Sequence, residues 1–427
     1  MSIELRRARV DELERAGRAR GRSVGPDEER AVREIVDDVR ARGDTALREW
    51  TRRLDGADVA RTGVDVDVLR DAWRAAPRRL QDALRAAAEE LRGFHVYQQD
   101  AANRGNNSAW LRPEPVRRAG CYVPGGRAAY PSTVLMSVIP AQVAGVASIV
   151  VTSPPAADGS VHPLVAAAAH LLGITEVRAA GGAQAVAALA YGTESIERVD
   201  VLVGPGNAYV TLAKRAVFGD VGVDQVAGPS EIVVIASHGA DARLIARDLV
   251  SQLEHDPLAW AVCLTDDGVL ADAVAAAFSD AASSAARGGI IAAASGEHAL
   301  LVTCTGLDQA LSAAESFAPE HLSLQGAEAE ALRDRVRAAG AVFCGPYSPV
   351  SIGDYVAGPN HTLPTGGAAR YRGPLSVRDF MRWPSVVQLT RSDFERLAPI
   401  ATALAEAEGL AAHADAIRAR AALEPTT

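Results

Sequence analysis

Short β-branched segments alternate with alanine-rich segments through residues 148–219, SIVVTSPPAADGSVHPLVAAAAHLLGITEVRAAGGAQAVAALAYGTESIERVDVLVGPGNAYVTLAKRAVFG. The β-branched segments are typical of buried strands, whereas the alanine-rich segments are typical of helices. Two neighbouring parallel strands need a crossover between them, and this crossover is almost always right-handed and usually helical. The alternation therefore predicts a parallel sheet covered by helices.

The same alternation recurs nearer the carboxyl end. Four further strand-like segments occur there: EIVVIAS (231–237), WAVCLT (260–265), ALLVTC (299–304) and GAVFCG (340–345). A helix-like segment, residues 240–255, follows the first of them, and a long alanine-rich segment follows the second. We therefore predict a second α/β sheet that follows the first along the chain.

Helical patterns without strands lie on both sides of the two sheets. Residues 27–54 and 66–99 carry apolar side chains at spacings of three and four, with an interruption near Pro77. Residues 392–423 show a similar pattern. We predict amphipathic helices at the amino end and paired helices, outside both sheets, at the carboxyl end.

The composition is that of an acidic globular protein. Hydrophobic residues make up 48% and charged residues 23% of the chain, and the formal net charge is −9. Excess negative charge cannot neutralise phosphates, which argues against a nucleic-acid partner. No apolar stretch reaches about 20 residues, and residues 1–18 lack the apolar core of a secretory signal. The four cysteines form no C-x-x-C pair. These features predict a cytoplasmic protein without a membrane partner.

Three glycine-rich turns follow predicted strands: Gly125-Gly126, Gly181-Gly182 and Gly204-Pro205-Gly206. Glycine lets a phosphate approach the backbone N–H groups at the start of the following helix. The G-x-G-x-x-G fingerprint of a standard dinucleotide-binding domain is absent. From spacing alone, each turn either belongs to a cofactor crevice or is a tight turn that binds nothing.

Gln252 and His255 could share a metal ion, because their spacing of three on a predicted helix places both side chains on one face. The alternative is an ordinary histidine at a helix end. Asp354, in the loop SIGDYVAGPNH (351–361), could reach a metal or merely stabilise its own turn. His361, in the same loop, could orient a ligand or bond to that turn.

The adjacent pair Glu320-His321, in FAPEHLSL (317–324), could supply acid–base chemistry. A histidine can act as a general base near neutral pH, and burial would raise the pKa of the glutamate towards that range. The alternative is that the glutamate, which follows a proline, only begins a helix. Glu408 and His413, near the carboxyl end, have the pattern of exposed helix residues.

Ten segments together resemble the histidinol dehydrogenase family, in the family's order and over nearly the whole chain. They are DVRARGDTALREWTRRLDG (38–56), GCYVPGGRAAYPSTVLMSVIPAQVAGV (120–146), GGAQAVAALAYGTESI (181–196), VDVLVGPGNAYVTLAKR (199–215), VDQVAGPSEIVVIA (223–236), DLVSQLEH (248–255), FAPEHL (317–322), GAVFCGPYSPVSIGDYVAGPNHTLPTGG (340–367), LSVRDFM (375–381) and EGLAAH (408–413). Motifs of this length are very specific, so the resemblance implies the fold and the activity of the family.

The resemblance implies a zinc- and NAD-dependent oxidoreductase of histidine biosynthesis. Such an enzyme converts L-histidinol to L-histidine through L-histidinal and reduces two NAD in turn. The zinc ligands that it implies, one ion per site, are Gln252, His255, Asp354 and His413. The ion anchors the substrate and is not a redox centre. The implied general base is His321, and Glu320 is the implied activator of water in the second oxidation.

The same resemblance implies the contacts of substrate and cofactor. Positions that match substrate contacts are Ser230, Gln252, His255, His321, Asp354, His361, Glu408 and His413. Positions that match NAD contacts are Tyr122, Gln184 and Asn207. The intertwined homodimer of the family further implies that the carboxy-terminal segment completes the site of the partner subunit.

The implied fold class is α/β, with two incomplete Rossmann-like parallel-sheet domains and helical extensions at both ends. The limits that we predict are 1–25 for an amino-terminal helical segment, 26–121 with 231–375 for an α/β domain carrying the zinc and catalytic residues, 122–230 for a Rossmann-like NAD-binding domain, and 376–427 for a carboxy-terminal helical segment that reaches the partner subunit.

Two other functions compete with this one. Relatives on the same scaffold oxidise other diols or amino alcohols. A small anionic diol needs no imidazole partner, so these relatives are expected to lose some of the contacts named above. A non-catalytic assembly protein is expected to lose a zinc ligand or the Glu-His pair. Every one of these residues is present, which favours histidinol as the substrate.

Overall fold

The computed structural model describes residues 3–20, 25–98, 108–125, 129–225 and 228–421. Its strands are β1 (Arg6–Ala8), β2 (Gly63–Val64), β3 (Ala109–Leu111), β4 (Glu114–Pro115), β5 (Arg118–Tyr122), β6 (Ser148–Ser153), β7 (Glu176–Ala179), β8 (Val201–Val203), β9 (Gly222–Val223), β10 (Glu231–Ala236), β11 (Trp260–Thr265), β12 (Ala299–Thr303), β13 (His321–Gln325), β14 (Ala341–Cys344), β15 (Met381–Arg382) and β16 (Ser385–Val387).

Its helices are α1 (Val10–Ala19), α2 (Pro26–Arg42), α3 (Asp44–Asp55), α4 (Val66–Ala75), α5 (Arg78–Val96), α6 (Pro131–Ala144), α7 (Pro163–Leu171), α8 (Gly182–Tyr191), α9 (Ala208–Val217), α10 (Ala242–Leu253), α11 (Gly268–Ser283), α12 (Gly288–His298), α13 (Leu307–Phe317), α14 (Ala327–Glu330), α15 (Val350–Tyr355), α16 (Arg391–Ala407) and α17 (Ala411–Ala421). Among the described residues, no helix is both long and apolar enough to span a bilayer.

The first sheet has the strand order β2-β7-β6-β5-β8-β9. Its strands are parallel except for the short β2, which is antiparallel to β7. Counted from β5, this is the order 3-2-1-4-5 of a doubly wound sheet, and the order reverses between β5 and β8. A sheet of this kind has a crevice outside the carboxyl ends of its strands at the point of reversal.

The second sheet repeats this topology, with the order β1-β12-β11-β10-β13-β14 and all strands parallel. Residues of β10 and β11 are buried throughout, because α10, α11 and α12 cover one face and α1 and α13 cover the other. The α/β fold with two incomplete Rossmann-like parallel sheets is therefore confirmed. Two strands of this sheet, β1 and β13, were not among the predicted strands.

The amino-terminal segments pack differently from the predicted grouping. That grouping joins residues 26–121 to the second sheet, but α2 and α3 pack on α8 of the first sheet, α4 on α7 and α5 on α6. The strand β5 also belongs to the first sheet. Within residues 1–25, β1 extends the edge of the second sheet. Helical periodicity reveals which face of a helix is apolar, but not which neighbour covers that face.

The chain divides into two compact units, residues 1–99 with 116–380 and residues 100–115 with 381–427. In the smaller unit, β3 pairs with β16 and β4 with β15, both antiparallel. A capping box of Thr390 and Asp393 begins α16, which packs against α17 as predicted. Of the described residues of this unit, Ala405 and Ala414 alone are buried.

Candidate active site

The candidate catalytic residues lie at the amino ends of two neighbouring strands of the second sheet. The strand β10 begins at Glu231 and β13 begins at His321, which lies opposite Ile232. Ser230 directly precedes β10, and Glu320 directly precedes β13. The alternative, that Glu320 only begins a helix, is excluded because an extended strand follows it.

The opposite edge of this sheet, at the carboxyl ends of β10 and β13, is filled by protein. Ser237 and Gln325 are buried there. A Cβ on Gly326 would lie 2.5 Å from the Oγ of Ser237, and the φ of Gly326 is +93°. The usual ligand crevice of a doubly wound sheet is thus occupied by close packing. The candidate catalytic residues of the second sheet lie at its amino edge instead.

Both members of the Glu-His pair are bonded to the backbone of Glu231. The N–H of Glu231 donates to Oε2 of Glu320 over 2.9 Å, and its carbonyl oxygen lies 3.0 Å from Nδ1 of His321. Because a carbonyl oxygen can only accept, Nδ1 carries the ring proton and Nε2 keeps a lone pair. His321 is therefore oriented to receive a proton at Nε2.

Burial decides the charge of this pair, since the exposed fractions of Glu320 and His321 are 7% and 4%. Burial lowers the pKa of His321 to about 3, so its ring is neutral at neutral pH. Burial also raises the pKa of Glu320 well above its usual range, and the nearby carboxylate of Glu231 adds to this effect. A neutral imidazole beside a carboxyl group of raised pKa is typical of acid–base sites.

Asp354 and His361 bring a second segment to His321. Oδ1 of Asp354 lies 3.8 Å from Nε2 of His321, and its backbone carbonyl accepts a hydrogen bond from Nδ1 of His361 over 2.8 Å. Burial raises the pKa of Asp354 to about 6 and lowers that of His361 to about 4. Nε2 of His361 lies 3.4 Å from Oγ1 of Thr133 in α6. The site is therefore lined by residues from the layers of both sheets.

Gln252 and His255 lie at the carboxyl end of α10, which packs against α15, the helix that carries Asp354. His255 is exposed, yet partial loss of hydration still lowers its pKa. Burial is the largest cause of the low pKa of His321 and His361, and the charge of His255 lowers both pKa values further. Its ring therefore lies within electrostatic reach of the other two histidines.

The donor set around Asp354 fits a zinc ion. Histidine nitrogen and carboxylate oxygen are common zinc ligands. The amide of Gln252 is buried, and its Nε2 has no hydrogen-bond partner in the described part of the chain. Rotation of the amide by 180° exchanges its oxygen and nitrogen, so either atom can face an ion. Across the described ranges, however, no three His, Cys, Asp or Glu side chains form a metal cluster, so a further ligand is needed beside His255 and Asp354.

The predicted NAD contacts lie at the carboxyl edge of the first sheet, near the reversal between β5 and β8. Tyr122 ends β5, and its hydroxyl accepts a hydrogen bond from the N–H of Gly182 at the start of α8 over 3.2 Å. Asn207 is the N-cap of α9, and its side chain accepts from the N–H of Val210 over 3.1 Å. Two helix amino termini thus face the place where doubly wound sheets bind dinucleotides.

Gln184, the third predicted NAD contact, lies inside the protein beside this edge. It is fully buried in the first turn of α8, and its Nε2 donates to Oδ2 of Asp55 over 2.9 Å. Burial raises the pKa of Asp55 to about 6. Oε1 of Gln184 has no hydrogen-bond partner in the part of the chain that the structure describes. A buried amide with one unpaired oxygen is compatible with a polar ligand at this edge.

The turn after β8 is fixed by a buried ion pair. The N–H of Gly204 donates to Oδ2 of Asp224 over 2.8 Å, and its carbonyl accepts from Nζ of Lys214 over 2.7 Å. Lys214 and Asp224 bond to each other, and each side chain is 3% exposed. The φ of Gly204 is +117°, and a Cβ there would collide with the carbonyl oxygen of Tyr122. The glycine-rich turn after β8 therefore has one rigid geometry.

Removing the cation of this ion pair is expected to destabilise the first sheet strongly. Lys214→Met leaves the Asp224 carboxylate buried without a counter-ion, which costs about 3–5 kcal/mol. The unfolding midpoint in urea, followed by circular dichroism, measures this loss.

The matched control is the double variant Lys214→Met/Asp224→Asn, which buries no charge and keeps an acceptor for the N–H of Gly204. It is expected to recover most of the lost stability. If the single variant unfolds at the same urea concentration as the unmodified protein, the ion pair does not stabilise this turn.

Glu408 and His413 lie in the smaller compact unit. Glu408 is the C-cap residue of α16, and His413 lies in the first turn of α17. Both side chains are exposed. Their exposure agrees with the pattern in the sequence and leaves both free to contact a ligand or another subunit.

Sequence reasoning missed the buried charges that support these sites: Arg20, Lys214, Asp224 and Glu231. A signal for two of them is present, because Glu231 begins the apolar strand EIVVIA and Lys214 interrupts the apolar helix segment VTLAKRAV. A charged residue in such a setting is almost never fully buried unless it is paired. The sequence does not reveal the identity of the partner.

A family model, sequence relatives and one solved structure indicate the same family. The family model described as histidinol dehydrogenase matches residues 19–421. A histidinol dehydrogenase from Parasynechococcus marenigrum (strain WH8102) is 48% identical over 413 residues, covering 96% of this chain and 94% of the relative. One from Bacillus subtilis (strain 168) is 43% identical, covering 96% and 97%. The crystal structure of histidinol dehydrogenase from Elizabethkingia anophelis superposes with a TM-score of 0.91 at 32% identity and covers 98% of both chains.

Proposed function

Because this chain belongs to the histidinol dehydrogenase family, we propose that it converts L-histidinol to L-histidine through L-histidinal with the reduction of two NAD. The observation that carries the proposal is the buried Glu320–His321 pair beside Asp354, with His321 held in the tautomer that can accept a proton. The oxidation of histidinol, as a step of histidine biosynthesis, is the activity expected of a family member.

His321 performs the proton transfer of both oxidations. Its Nε2 takes the hydroxyl proton of the alcohol while its Nδ1 remains bonded to the carbonyl of Glu231. The fixed Nδ1 bond prevents the ring from turning its protonated nitrogen towards the substrate. When bound, NAD supplies the hydride acceptor.

Glu320 acts in the second oxidation. It takes a proton from the water molecule that adds to the aldehyde, and its raised pKa brings its proton affinity closer to that needed at neutral pH. The N–H of Glu231 holds one carboxylate oxygen, which leaves the other oxygen for the water molecule. Shielding by the buried surroundings protects the reactive aldehyde between the two steps.

Gln252, His255 and Asp354 would hold the zinc ion, with His413 as the fourth ligand. When bound, zinc supplies a Lewis acid that anchors the imidazole and amino nitrogens of the substrate. Ser230, His361 and Glu408 complete the substrate contacts. On the cofactor side, Tyr122, Gln184 and Asn207 would hold NAD, and the helix amino termini at the first sheet favour its phosphates.

Two subunits share each site in this proposal. The described part of the smaller unit buries only Ala405 and Ala414, while Ile400, Leu404 and Leu410 are 59%, 60% and 42% exposed. So small a core, with apolar side chains exposed, is better explained by a unit that packs on a second copy of this chain than by a unit that is stable alone. His413 and Glu408 then act at the site of the partner.

The test is the stoichiometry of the reaction. Zinc-loaded protein is given L-histidinol and NAD, the product is identified, and NADH is counted by absorbance. Two NADH per histidine formed are expected. If histidinol is not consumed although zinc is bound and the dimer is intact, the substrate is another amino alcohol or diol on the same scaffold. One NADH with accumulating aldehyde would contradict the second oxidation.

The proposal that His413, in the smaller unit, is a zinc ligand predicts that replacing it causes a loss of zinc. Replacing His413 with asparagine removes one of four ligands and is expected to weaken zinc affinity by about 10–100-fold or more. Zinc content after dialysis against a chelator, measured by atomic absorption, tests this result. His298→Asn, a histidine outside the proposed site, is the control and should retain full zinc. Undiminished zinc in the His413 variant would remove this residue from the ligand set.

Shared sites predict recovery of activity in mixed dimers. A His413→Asn subunit and a His321→Asn subunit are each inactive alone, but a heterodimer has one site with neither substitution. Co-expression with two different affinity tags isolates this heterodimer, and about half of the activity per dimer is expected. No recovery in the isolated heterodimer would mean that each site is built from one chain.

A further inference from the structure

A buried ion pair between Arg20 and Glu231 lies beneath the Glu320–His321 pair. Nε of Arg20 donates to Oε1 of Glu231 over 2.5 Å, and one Nη donates to Oε2 over 3.2 Å. The exposed fractions of the two side chains are 3% and 2%. A bidentate pair with so little exposure has one geometry, and the reaction as proposed above uses neither of these two side chains.

Glu231 is bonded to both members of the catalytic pair at once. Its backbone N–H and carbonyl hold the carboxylate of Glu320 and Nδ1 of His321. Its side chain accepts from the N–H of Glu320 over 3.2 Å and from the N–H of Gly366 over 2.9 Å. A displacement of Glu231 would therefore move the general base and the water-activating carboxylate together.

Arg20 holds the segment that leads into the same pair. Its guanidinium donates to the carbonyl oxygens of Phe317 and Ala318 and lies 3.5 Å above the centre of the Phe317 ring. Ala318 has a φ of +51°, the only positive φ among the non-glycine residues that the structure describes. An alanine in this conformation is strained and persists only when its surroundings enforce it. The hydrogen bonds from Arg20 to this turn provide such enforcement.

We propose that Arg20 and Glu231 are positioning residues, whose ion pair locks the turn at Ala318 to the start of β10 and so fixes the orientation of Glu320 and His321. This inference rests on the proposed function, because that function assigns the chemistry to the pair. Neither Arg20 nor Glu231 touches the substrate in this scheme. Both act through the catalytic residues.

The first test compares kcat with KM in two variants of the zinc-loaded enzyme. Glu231→Gln keeps the shape but removes the charge, and its single amide oxygen leaves an acceptor for only one of the N–H groups of Glu320 and Gly366. Arg20→Lys keeps the charge but removes the forked hydrogen bonds, and it serves if the first variant does not fold. Each is expected to lower kcat per zinc-loaded site by about 10–100-fold, because a small misplacement of reacting groups is costly. The KM values for histidinol and NAD are expected to change little.

The matched control is Arg118→Gln. Arg118 forms another ion pair, with Glu176 over 2.7 Å, and its side chain is also 3% exposed, but this pair lies on the first sheet. The control is expected to lower the unfolding midpoint without lowering kcat per zinc-loaded site. If the Arg20 and Glu231 variants behave like this control, their role is only structural and the proposal fails.

The second test does not depend on activity. Selective ¹⁵N labelling of histidine shows which ring nitrogen of His321 carries the proton, with assignment from His321→Asn. The unmodified protein is expected to carry it on Nδ1, and both variants are expected to shift towards a mixture of tautomers. An unchanged tautomer would overturn the proposal. If the unmodified protein does not oxidise histidinol, the proposed function fails, but the tautomer measurement still decides the positioning role.

Discussion

Replacing His321 with asparagine is expected to lower kcat for both oxidations by a factor of about 10²–10⁴, the usual contribution of a general base. Asparagine can still donate to the carbonyl of Glu231, so the local backbone should be retained, but it has no lone pair of comparable basicity at the position of Nε2. The rates of NADH formation from histidinol and from histidinal, each at saturating substrate, measure this effect.

The control for this substitution is His238→Asn. His238 lies at the opposite edge of the same sheet, where it is exposed and bonded to Asp267 over 2.9 Å. This variant should keep full activity. Zinc content should be unchanged in both variants, because neither histidine is a proposed ligand. A His321→Asn enzyme with normal kcat would mean that another group accepts the alcohol proton.

Replacing Glu320 with glutamine separates the two oxidations. Glutamine keeps the hydrogen bond from the N–H of Glu231 through its oxygen, but it cannot accept a proton from water. Histidinal oxidation is expected to fall by a factor of about 10²–10⁴, whereas histidinol oxidation should fall far less. Single-turnover measurements with each substrate, and detection of released histidinal, distinguish the two rates.

Glu328→Gln is the control, because this glutamate is exposed on α14 and lies outside the proposed site. It should change neither rate. An equal loss in both oxidations by Glu320→Gln would contradict a specific role in water activation. It would indicate instead that the carboxylate supports His321 in both steps.

The local sequence pattern was sufficient to predict most strands of the two sheets. Segments such as SIVVTS and WAVCLT are apolar and β-branched, and they form β6 and β11 as predicted. The strand β13 was missed because HLSLQ directly follows Pro319-Glu320, a pair that also suits the first turn of a helix. Its extended form depends on pairing with β10 and β14, a contact between residues far apart in sequence.

The resemblance predicted which residues form the candidate site, but it did not predict how they are arranged in space. The structure brings Asp354, His361 and His321 together and places Tyr122 and Asn207 at the carboxyl edge of the other sheet. The roles of these residues in binding zinc and NAD stay predictions.

The order of strands and helices followed from short-range chemistry, because the spacing of apolar residues depends on the period of the local backbone. The partner of the buried Glu231 depended on long-range folding. Glu231 meets Arg20 across 211 residues of sequence, and the helices of residues 26–96 cover the first sheet and not the second. A local pattern identifies a face or a charge that must be buried, but burial is a relation between two segments. That relation exists only once the chain has brought the two segments together.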